Sequence, residues 1–191
     1  RLFFFSFDLN SYIERKNPQA CIDAFLIAFE RDKYSKDLVG LVIKVHAPKQ
    51  PNEAWDNLKA LAARDSRIHI IEQTLDRSDL LALYQTCDCF ISLHRAEGFG
   101  RTLAEAMLLG KPVIATNYSG NQFFMHPEHT LPVEYDLVPV QTGDYHFIET
   151  SDVAMWANPR ISHMAKRMQE AVTRQDSRKS LAARVHFAQS V

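Results

Sequence analysis

The chain has 191 residues, of which 46% are hydrophobic and 24% are charged, and its formal net charge is −1. This length and composition are typical of one globular domain with a substantial core. The near-neutral charge argues against a dominant surface for nucleic acid or an anionic membrane. The sequence shows no apolar run long enough to span a membrane and no signal peptide, so a cytoplasmic location is expected.

The three cysteines are Cys21, Cys87 and Cys89, and they belong to no metal-like cluster of cysteine and histidine. Their odd number favours reduced thiols in a cytosolic compartment. Only Asp88 separates Cys87 from Cys89, which is a shorter spacing than the usual redox or zinc pair has. We therefore predict that all three are small core residues.

Short apolar segments alternate with helical patterns along most of the chain. Buried strands are predicted at residues 2–7, 39–45, 68–71, 89–93 and 113–115. Four helices are predicted between these strands. The first has Asn17 as its cap and Pro18 as its first residue, and the second covers residues 52–64. The third follows Ser78 as its cap, and the fourth covers residues 102–109. This alternation predicts an α/β fold, a Rossmann-like parallel sheet with helices on both faces. Ligands of such sheets bind outside the carboxyl ends of the strands.

The last third of the chain has a different pattern. Residues 123–149 contain several prolines and predict an irregular loop with a late strand inside 131–140. Amphipathic helices are predicted over 161–172 and 181–187. Because the chain begins at Arg1 directly in an apolar strand, we expect residues 1–191 to be one domain of a longer protein.

The segment from Glu97 to Glu105, with the sequence EGFGRTLAE, follows a predicted strand and opens a helix. Gly98 and Gly100 allow a tight turn and a close approach of a ligand to the backbone. The free N–H groups of the helix and the cation of Arg101 suit a pyrophosphate. Glu97 is predicted to face a sugar, and Glu105 to accept hydrogen bonds from ribose hydroxyls. The bland alternative is a tight turn with Glu105 exposed on a helix.

The glycine pattern also bears on the kind of nucleotide. Gly98-x-Gly100-x-x-Leu103 is close to a dinucleotide fingerprint but lacks its third glycine. It follows a late strand of the predicted sheet, whereas the dinucleotide fingerprint follows the first strand. Both facts argue against NAD as the ligand.

Three motifs resemble one family. The first is the Glu-x7-Glu motif from Glu97 to Glu105, the second is the segment GKPVIAT over residues 110–116, and the third is WANP over residues 156–159. Together they resemble the carboxyl-terminal domain of the retaining glycosyltransferases of the GT-B fold, family 4. The resemblance covers nearly the whole chain and is most specific over residues 88–120.

The resemblance implies the donor-binding half of an enzyme that transfers a sugar from a nucleotide diphosphate sugar to an acceptor, with polysaccharide biosynthesis as a setting. It implies catalytic roles for Glu97, which would orient the donor sugar, and for Lys16, which would neutralise the leaving diphosphate. The predicted donor-binding residues are Arg15, Lys16, Lys44, Thr74, Glu97, Gly98, Phe99, Gly100, Arg101, Thr102 and Glu105. An amino-terminal domain outside residues 1–191 would hold a carbohydrate or lipid-linked acceptor, and the isolated domain is expected to have little or no transfer activity.

The basic residues also have simpler interpretations. Arg15 and Lys16 fit a solvated charged loop as well as a phosphate site. Lys16 matches the family's lysine, whereas the family's arginine commonly stands where this chain has Phe7 and Asp8, and whether Arg15 replaces it is left open by the sequence. Lys44, inside a predicted strand, either extends its ammonium group to the surface or contacts the donor.

No cofactor or metal is expected, because enzymes of this class do not depend on an Asp-x-Asp metal site and the chain contains none. His94, His126, His129 and His146 lack metal-ligand spacing and are interpreted as surface or loop residues. Two rival functions remain: a non-catalytic nucleotide-sugar-binding or scaffolding module, and a GT-B nucleotide-sugar epimerase. Contact with the inner face of a membrane would come through the full-length protein.

Overall fold

A computed structural model describes residues 1–48, 50–145 and 154–173. The predicted helix over 181–187, His146 and the end of the predicted irregular loop lie outside the described residues. The described part is built around one central sheet, with helices on both of its faces and a small two-stranded sheet beside it.

The central sheet has six strands in the order β3-β2-β1-β4-β5-β6. These strands are β1 (Leu2–Phe7), β2 (Gly40–Val45), β3 (Ile68–Glu72), β4 (Cys89–Ser92), β5 (Val113–Thr116) and β6 (Leu131–Val133). Each neighbouring pair is parallel. The predicted strands and the Rossmann-like parallel sheet are therefore confirmed, and the strand order reverses between β1 and β4, where such sheets form their ligand crevice.

The first strand lies at the centre because its apolar run can be buried on both faces. Phe3, Phe4 and Phe5 are each at most 1% exposed. Phe4 lies beside Val42 on one side and Phe90 on the other. Its ring also packs edge-on against the ring of Tyr84, with centroids 5.0 Å apart. A continuous rather than alternating apolar run is the pattern expected for a strand covered on both faces.

Six α-helices connect or flank the described strands. They are α1 (Ile13–Lys16), α2 (Pro18–Ala28), α3 (Glu53–Ala62), α4 (Arg77–Thr86), α5 (Arg101–Leu108) and α6 (Ile161–Thr173). Short 3-10 helices cover Leu9–Ser11 and Ser119–Phe123. Asn52 caps α3, because its side-chain oxygen accepts a hydrogen bond from the backbone N–H of Trp55 at 2.9 Å.

The predicted cap Ser78 was wrong, and the predicted cap Asn17 holds the cap position of α2 without a side-chain hydrogen bond. The cap of α4 is Asp76, whose carboxylate accepts the N–H of Asp79 at 2.8 Å, and Ser78 instead donates its hydroxyl to Asp76 at 2.7 Å. Asn17 makes no side-chain cap for α2, although that helix does begin at Pro18. Asn17 ends α1 in the left-handed conformation, and its amide donates to the carbonyl of Leu93 at 3.0 Å.

The late strand predicted inside 131–140 is two strands that are separated at Glu134. The second of them, β7 (Tyr135–Pro139), pairs antiparallel with β8 (Met155–Pro159), which the sequence patterns did not predict. The backbone N–H of Ala157 in β8 donates to the carbonyl of Arg95 at 2.9 Å. This bond joins the small sheet to the loop that follows β4.

The three cysteines are buried, as predicted, with 0% to 3% of their surface exposed. Burial raises the pKa of the Cys21 and Cys87 thiols to about 12 and raises that of Cys89 further. Within the described residues, no helix is long and apolar enough to cross a membrane.

Candidate functional site

Three loops meet at the carboxyl ends of the central strands. We call residues 8–17 the β1 loop, residues 93–100 the β4 loop and residues 117–121 the β5 loop. The N–H of Arg95 donates to the carbonyl of Arg15 at 2.8 Å, which joins the β4 loop to the β1 loop. The N–H of Gly120 donates to the carbonyl of Glu97 at 2.9 Å, which joins the β5 loop to the same segment. The loops therefore form one connected surface at the crevice of the sheet.

At the centre of this surface Glu97 pairs with two cations. Its Oε1 atom forms an ion pair and hydrogen bond with Nζ of Lys16, and its Oε2 atom lies 3.4 Å from Nη1 of Arg15. The side chains of Arg15, Lys16 and Glu97 are only 16%, 12% and 11% exposed, so water screens the cluster much less than it screens a surface pair. The sequence placed these residues near one ligand, and the structure does bring them together.

Burial and charge act in opposite directions on this cluster. Burial alone would raise the pKa of Glu97, but the nearby positive charge, chiefly that of Lys16, outweighs it and the pKa of Glu97 is lowered. Burial lowers the pKa of Lys16, and Glu97 offsets only part of that effect. Glu97 is therefore a carboxylate at neutral pH, held by partly desolvated cations.

Arg15 is more constrained than the sequence indicated. Its Nε atom donates to the carbonyl of Ser11 at 3.0 Å, and its Nη1 atom donates to the carbonyl of Ala96 at 2.7 Å. The guanidinium group thus holds the β1 and β4 loops together in addition to facing Glu97. Among the described residues, Lys16 makes no comparable bond to a backbone carbonyl, so its ammonium group can change partners more easily.

The helix after the glutamate turn begins at Arg101, one residue earlier than predicted. Gly100 is its first flanking residue and has a φ of 87°, a conformation that strains any residue with a side chain. Arg101 is exposed, and Thr102 lies in the first turn, where backbone N–H groups have no partner within the helix. A Cβ added at Gly98 would meet no atom within 4 Å, so open space adjoins the turn.

The remaining predicted donor contacts surround this turn. Phe99 is 43% exposed, and its ring centroid is 5.1 Å from that of Phe124. Glu105 is half-buried on α5 and close enough to Tyr84 to help raise the pKa of that phenol, which burial raises most. Glu97 and Glu105 thus lie at the two ends of one short turn and first helical segment.

Lys44 and Thr74 do not join the charged cluster. Lys44 lies in β2 opposite Ser6 and is only 2% exposed, so it does not extend to the surface as a lysine at a strand end commonly does. Burial lowers its pKa, an effect that Asp8 partly offsets. Thr74 is exposed after β3, and strands β2 and β1 lie between it and the Glu97 turn.

His94 was interpreted as a surface or loop histidine; it does lie in the β4 loop, but it is not a surface residue, because it is completely buried. It lies directly beyond β4 under the β5 loop, where Ser92 and Asn121 satisfy its ring nitrogens at 3.0 Å each. Its burial is possible because these partners replace the hydrogen bonds of water. The only sequence signal for it was its position at the carboxyl end of a buried strand. Among the described residues, no group of three or more His, Cys, Asp or Glu is arranged to hold a metal ion.

The strand order, the crevice between β1 and β4 and the turn at the start of α5 define a Rossmann-like α/β domain. Residues 5–130, which include the whole cluster and the turn, match the family described as Glycosyl transferases group 1. The chain belongs to this family.

Solved structures of glycosyltransferases share the fold. A glycosyltransferase from Rickettsia africae is 18% identical with a TM-score of 0.71, and the match covers 99% of this chain and 43% of that one. The C-terminal domain of a group 1 family glycosyl transferase (LpcC) from Francisella tularensis is 17% identical with a TM-score of 0.68, covering 98% of this chain and 85% of that domain. HepE of Anabaena, solved in complex with UDP and glucose, is 18% identical with a TM-score of 0.67, and the match covers 99% of this chain and 43% of HepE.

These likenesses show that the chain has the fold of one half of a GT-B glycosyltransferase. It spans only 43% of the length of the Rickettsia protein. No curated protein matches the sequence.

Proposed function

We propose that the chain is the carboxyl-terminal, donor-binding domain of a retaining glycosyltransferase, which transfers a sugar from a nucleotide diphosphate sugar to an acceptor. One observation carries the proposal: Glu97 and Lys16 meet at the reversal point of the sheet, beside a turn with open space and free helical N–H groups. An anion-binding helix start and a carboxylate for hydroxyl groups are the two features that a sugar diphosphate requires.

In the proposed reaction the oxygen of an acceptor hydroxyl bonds to the anomeric carbon while the bond from that carbon to the diphosphate oxygen breaks, and the hydroxyl proton passes to the departing diphosphate. Negative charge then builds up on the departing diphosphate. Lys16, Arg101 and the N–H groups at the start of α5 would stabilise this charge. The backbone N–H groups are fixed by the helix before the reaction, so their alignment costs little when the charge develops.

Glu97 would orient the donor sugar by accepting hydrogen bonds from its hydroxyl groups. We assign it no covalent role, and we propose that the acceptor attacks on the face from which the diphosphate leaves. Glu105 would accept hydrogen bonds from the ribose hydroxyls, and the backbone at Gly98 would approach the donor closely.

The proposal leaves the acceptor mainly to a second domain of the same protein. It includes no metal or cofactor, a cytoplasmic location with membrane contact through the full-length protein, and polysaccharide biosynthesis as the setting. The uridine nucleotide in the HepE structure makes UDP-sugars the first donors to examine.

The proposal can be tested by titration calorimetry with UDP-glucose, GDP-mannose and ADP-glucose. We expect the wild-type chain to bind at least one of them and a Lys16→Met variant to bind it at least tenfold more weakly, since about 1.4 kcal/mol of charge interaction is lost. If the wild-type chain binds none of the three at millimolar concentration although its circular dichroism spectrum is that of a folded α/β protein, a scaffolding role would be favoured. Release of an epimerised nucleotide sugar without acceptor, followed by NMR, would favour an epimerase.

A further inference from the structure

The β5 loop holds the backbone of Glu97 at both of its polar groups. The N–H of Glu97 donates to Oγ of Ser119 at 2.7 Å. Its carbonyl oxygen accepts the N–H of Gly120 at 2.9 Å. Glu97 precedes the helix and belongs to no strand, so these two bonds replace the regular backbone partners that it lacks.

Gly120 makes this contact possible because it has no side chain. A Cβ at this position would lie 1.8 Å from the carbonyl oxygen of Gly98 and 2.9 Å from that of Glu97. Distances under 3.0 Å are essentially never seen for real Cβ atoms, so any substitution must move one loop away from the other. The requirement for glycine here comes from close packing of two backbones and not from the dihedral angles of Gly120.

Ser119 is held in a costly conformation. Its φ of 69° lies in the left-handed region, which a residue with a side chain seldom adopts without compensation. Its hydroxyl accepts from Glu97 and donates to the carbonyl of Tyr118 at 2.6 Å. The hydroxyl group thus has both a donor and an acceptor as partners, which fixes it where it meets the N–H of Glu97.

A buried chain of hydrogen bonds supports the β5 loop from below. The amide nitrogen of Asn121 donates to the carbonyl of Thr116 at 2.9 Å, which leaves its Oδ1 atom to accept from Nε2 of His94 at 3.0 Å. Nδ1 of His94 then accepts the hydroxyl of Ser92 at 3.0 Å. Burial lowers the pKa of His94, which keeps the ring neutral and compatible with this arrangement. Both ring nitrogens of His94 and both polar atoms of the Asn121 amide have a partner, and such networks fix a single geometry.

We propose that Ser119, Gly120 and the His94–Asn121 pair are positioning residues that hold Glu97 at the place where it meets the donor sugar. The inference rests on the proposed function and identifies the part of the fold that sets the sugar-facing carboxylate. Lys16 and Arg15 lie on the β1 loop and pair with the side-chain carboxylate of Glu97. The β5 loop instead binds the backbone N–H and carbonyl of Glu97, so it fixes the residue independently of these cations.

The first test needs no ligand. In a Ser119→Ala variant the N–H of Glu97 loses its acceptor, so we expect its amide proton resonance to move upfield in a proton–nitrogen NMR spectrum. The control is Gln122→Ala, which removes an exposed side chain that binds the carbonyl of Asn117 in the same region without touching Glu97. An unmoved Glu97 amide resonance in Ser119→Ala would overturn the inference.

The second test separates sugar binding from diphosphate binding. Three pairs of compounds are titrated: UDP-glucose with UDP, GDP-mannose with GDP, and ADP-glucose with ADP. For the pair that the wild-type chain binds, we expect Ser119→Ala to weaken the binding of the nucleotide sugar about fivefold to tenfold. Its binding of the nucleoside diphosphate should weaken less than about twofold. Equal losses for both compounds, or no loss in a folded variant, would contradict a role in positioning Glu97.

A double-mutant cycle shows whether Ser119 acts through Glu97. If it does, the Ser119→Ala effect on the nucleotide sugar disappears when Glu97→Gln is already present. Additive losses would overturn this inference and leave the proposed function intact. A wild-type chain that binds none of the six compounds would instead overturn the proposed function together with the inference.

Discussion

Replacement of Glu97 by glutamine is expected to strengthen the binding of a nucleoside diphosphate that carries no sugar. Glu97 neutralises Lys16 and Arg15, the cations that the diphosphate would use. The diphosphate must therefore compete with an internal anion. A glutamine keeps the size and one hydrogen-bond acceptor of the side chain but removes that competing charge.

The separation of the charges gives the scale of the effect. At 3.4 Å between Arg15 and Glu97, two unit charges interact by about 5 kcal/mol at an effective dielectric constant of about 20. Most of this gross energy is cancelled, because the approaching diphosphate brings its own hydration and the remaining amide still bonds to the cations. A net gain of about 1–2 kcal/mol remains, which corresponds to a Kd roughly fivefold to thirtyfold lower.

The assay is titration calorimetry of UDP, GDP and ADP with the wild-type chain and Glu97→Gln. Glu128→Gln is the control, since it makes the same change in net charge at a side chain that is 75% exposed. The gain should shrink as salt is added, because ions screen the freed cations. The matching nucleotide sugar should bind more weakly to Glu97→Gln than to the wild type. Equal or weaker binding of every nucleoside diphosphate by Glu97→Gln would refute the idea of competition.

Three further predictions concern the folded framework. Gly120→Ala should lower the free energy of unfolding by about 1–3 kcal/mol in urea titrations, because the added Cβ overpacks two backbones. The control Gly98→Ala should have little effect on stability, since its Cβ meets open space. Similar urea midpoints for the two variants would contradict the close contact at Gly120. Asp65 pairs with Arg67 at 2.7 Å, where hydrogen bonds from Arg67 hold the pKa of the carboxyl well below its usual range. The stability that this pair contributes is fully present above the unfolded-state pKa of about 4 and is lost as the pH falls toward the folded-state pKa. The free energy of unfolding of the wild type should therefore fall more steeply in acid than that of Asp65→Asn. Parallel curves of unfolding free energy against pH would count against this. Burial raises the pKa of Cys21 to about 12, so its thiol should react with Ellman's reagent at pH 8 only after unfolding, and fast reaction in the native state would show that it is accessible.

The parallel sheet could be predicted because its physical cause is local. Each buried strand is a short apolar run between helical patterns, and Phe3 to Phe5 show it most clearly. Boundaries were less exact where two side chains competed for one role, as when Asp76 rather than Ser78 capped α4. The carboxylate of Asp76 accepts the helical N–H, and Ser78 bonds to that carboxylate instead.

The candidate site was only partly predictable. The EGFGRTLAE segment is contiguous, so its turn and helix could be inferred directly. The pairing of Lys16 with Glu97 joins positions that are 81 residues apart, and a local sequence pattern cannot predict such a contact. His94 was misjudged for the same reason, since its burial depends on Asn121, 27 residues further along the chain. The strand β8 was missed because its pairing with β7 depends on two separate segments that meet only in the fold.

The attachment of β8 and α6 to the first half of the chain has a consequence for the order of folding. Ala157 bonds to Arg95 in the β4 loop, and Gln169 on α6 donates to the carbonyl of Ala28, 141 residues earlier. Contacts of such large sequence separation form slowly, because the chain between them must first be confined. During synthesis, a nascent chain that ends before residue 154 would contain Glu97 and Lys16 but not β8, the strand that binds the β4 loop at Arg95. The central sheet would therefore exist for seconds before its ligand edge became rigid, at the usual rate of about 5–20 residues per second.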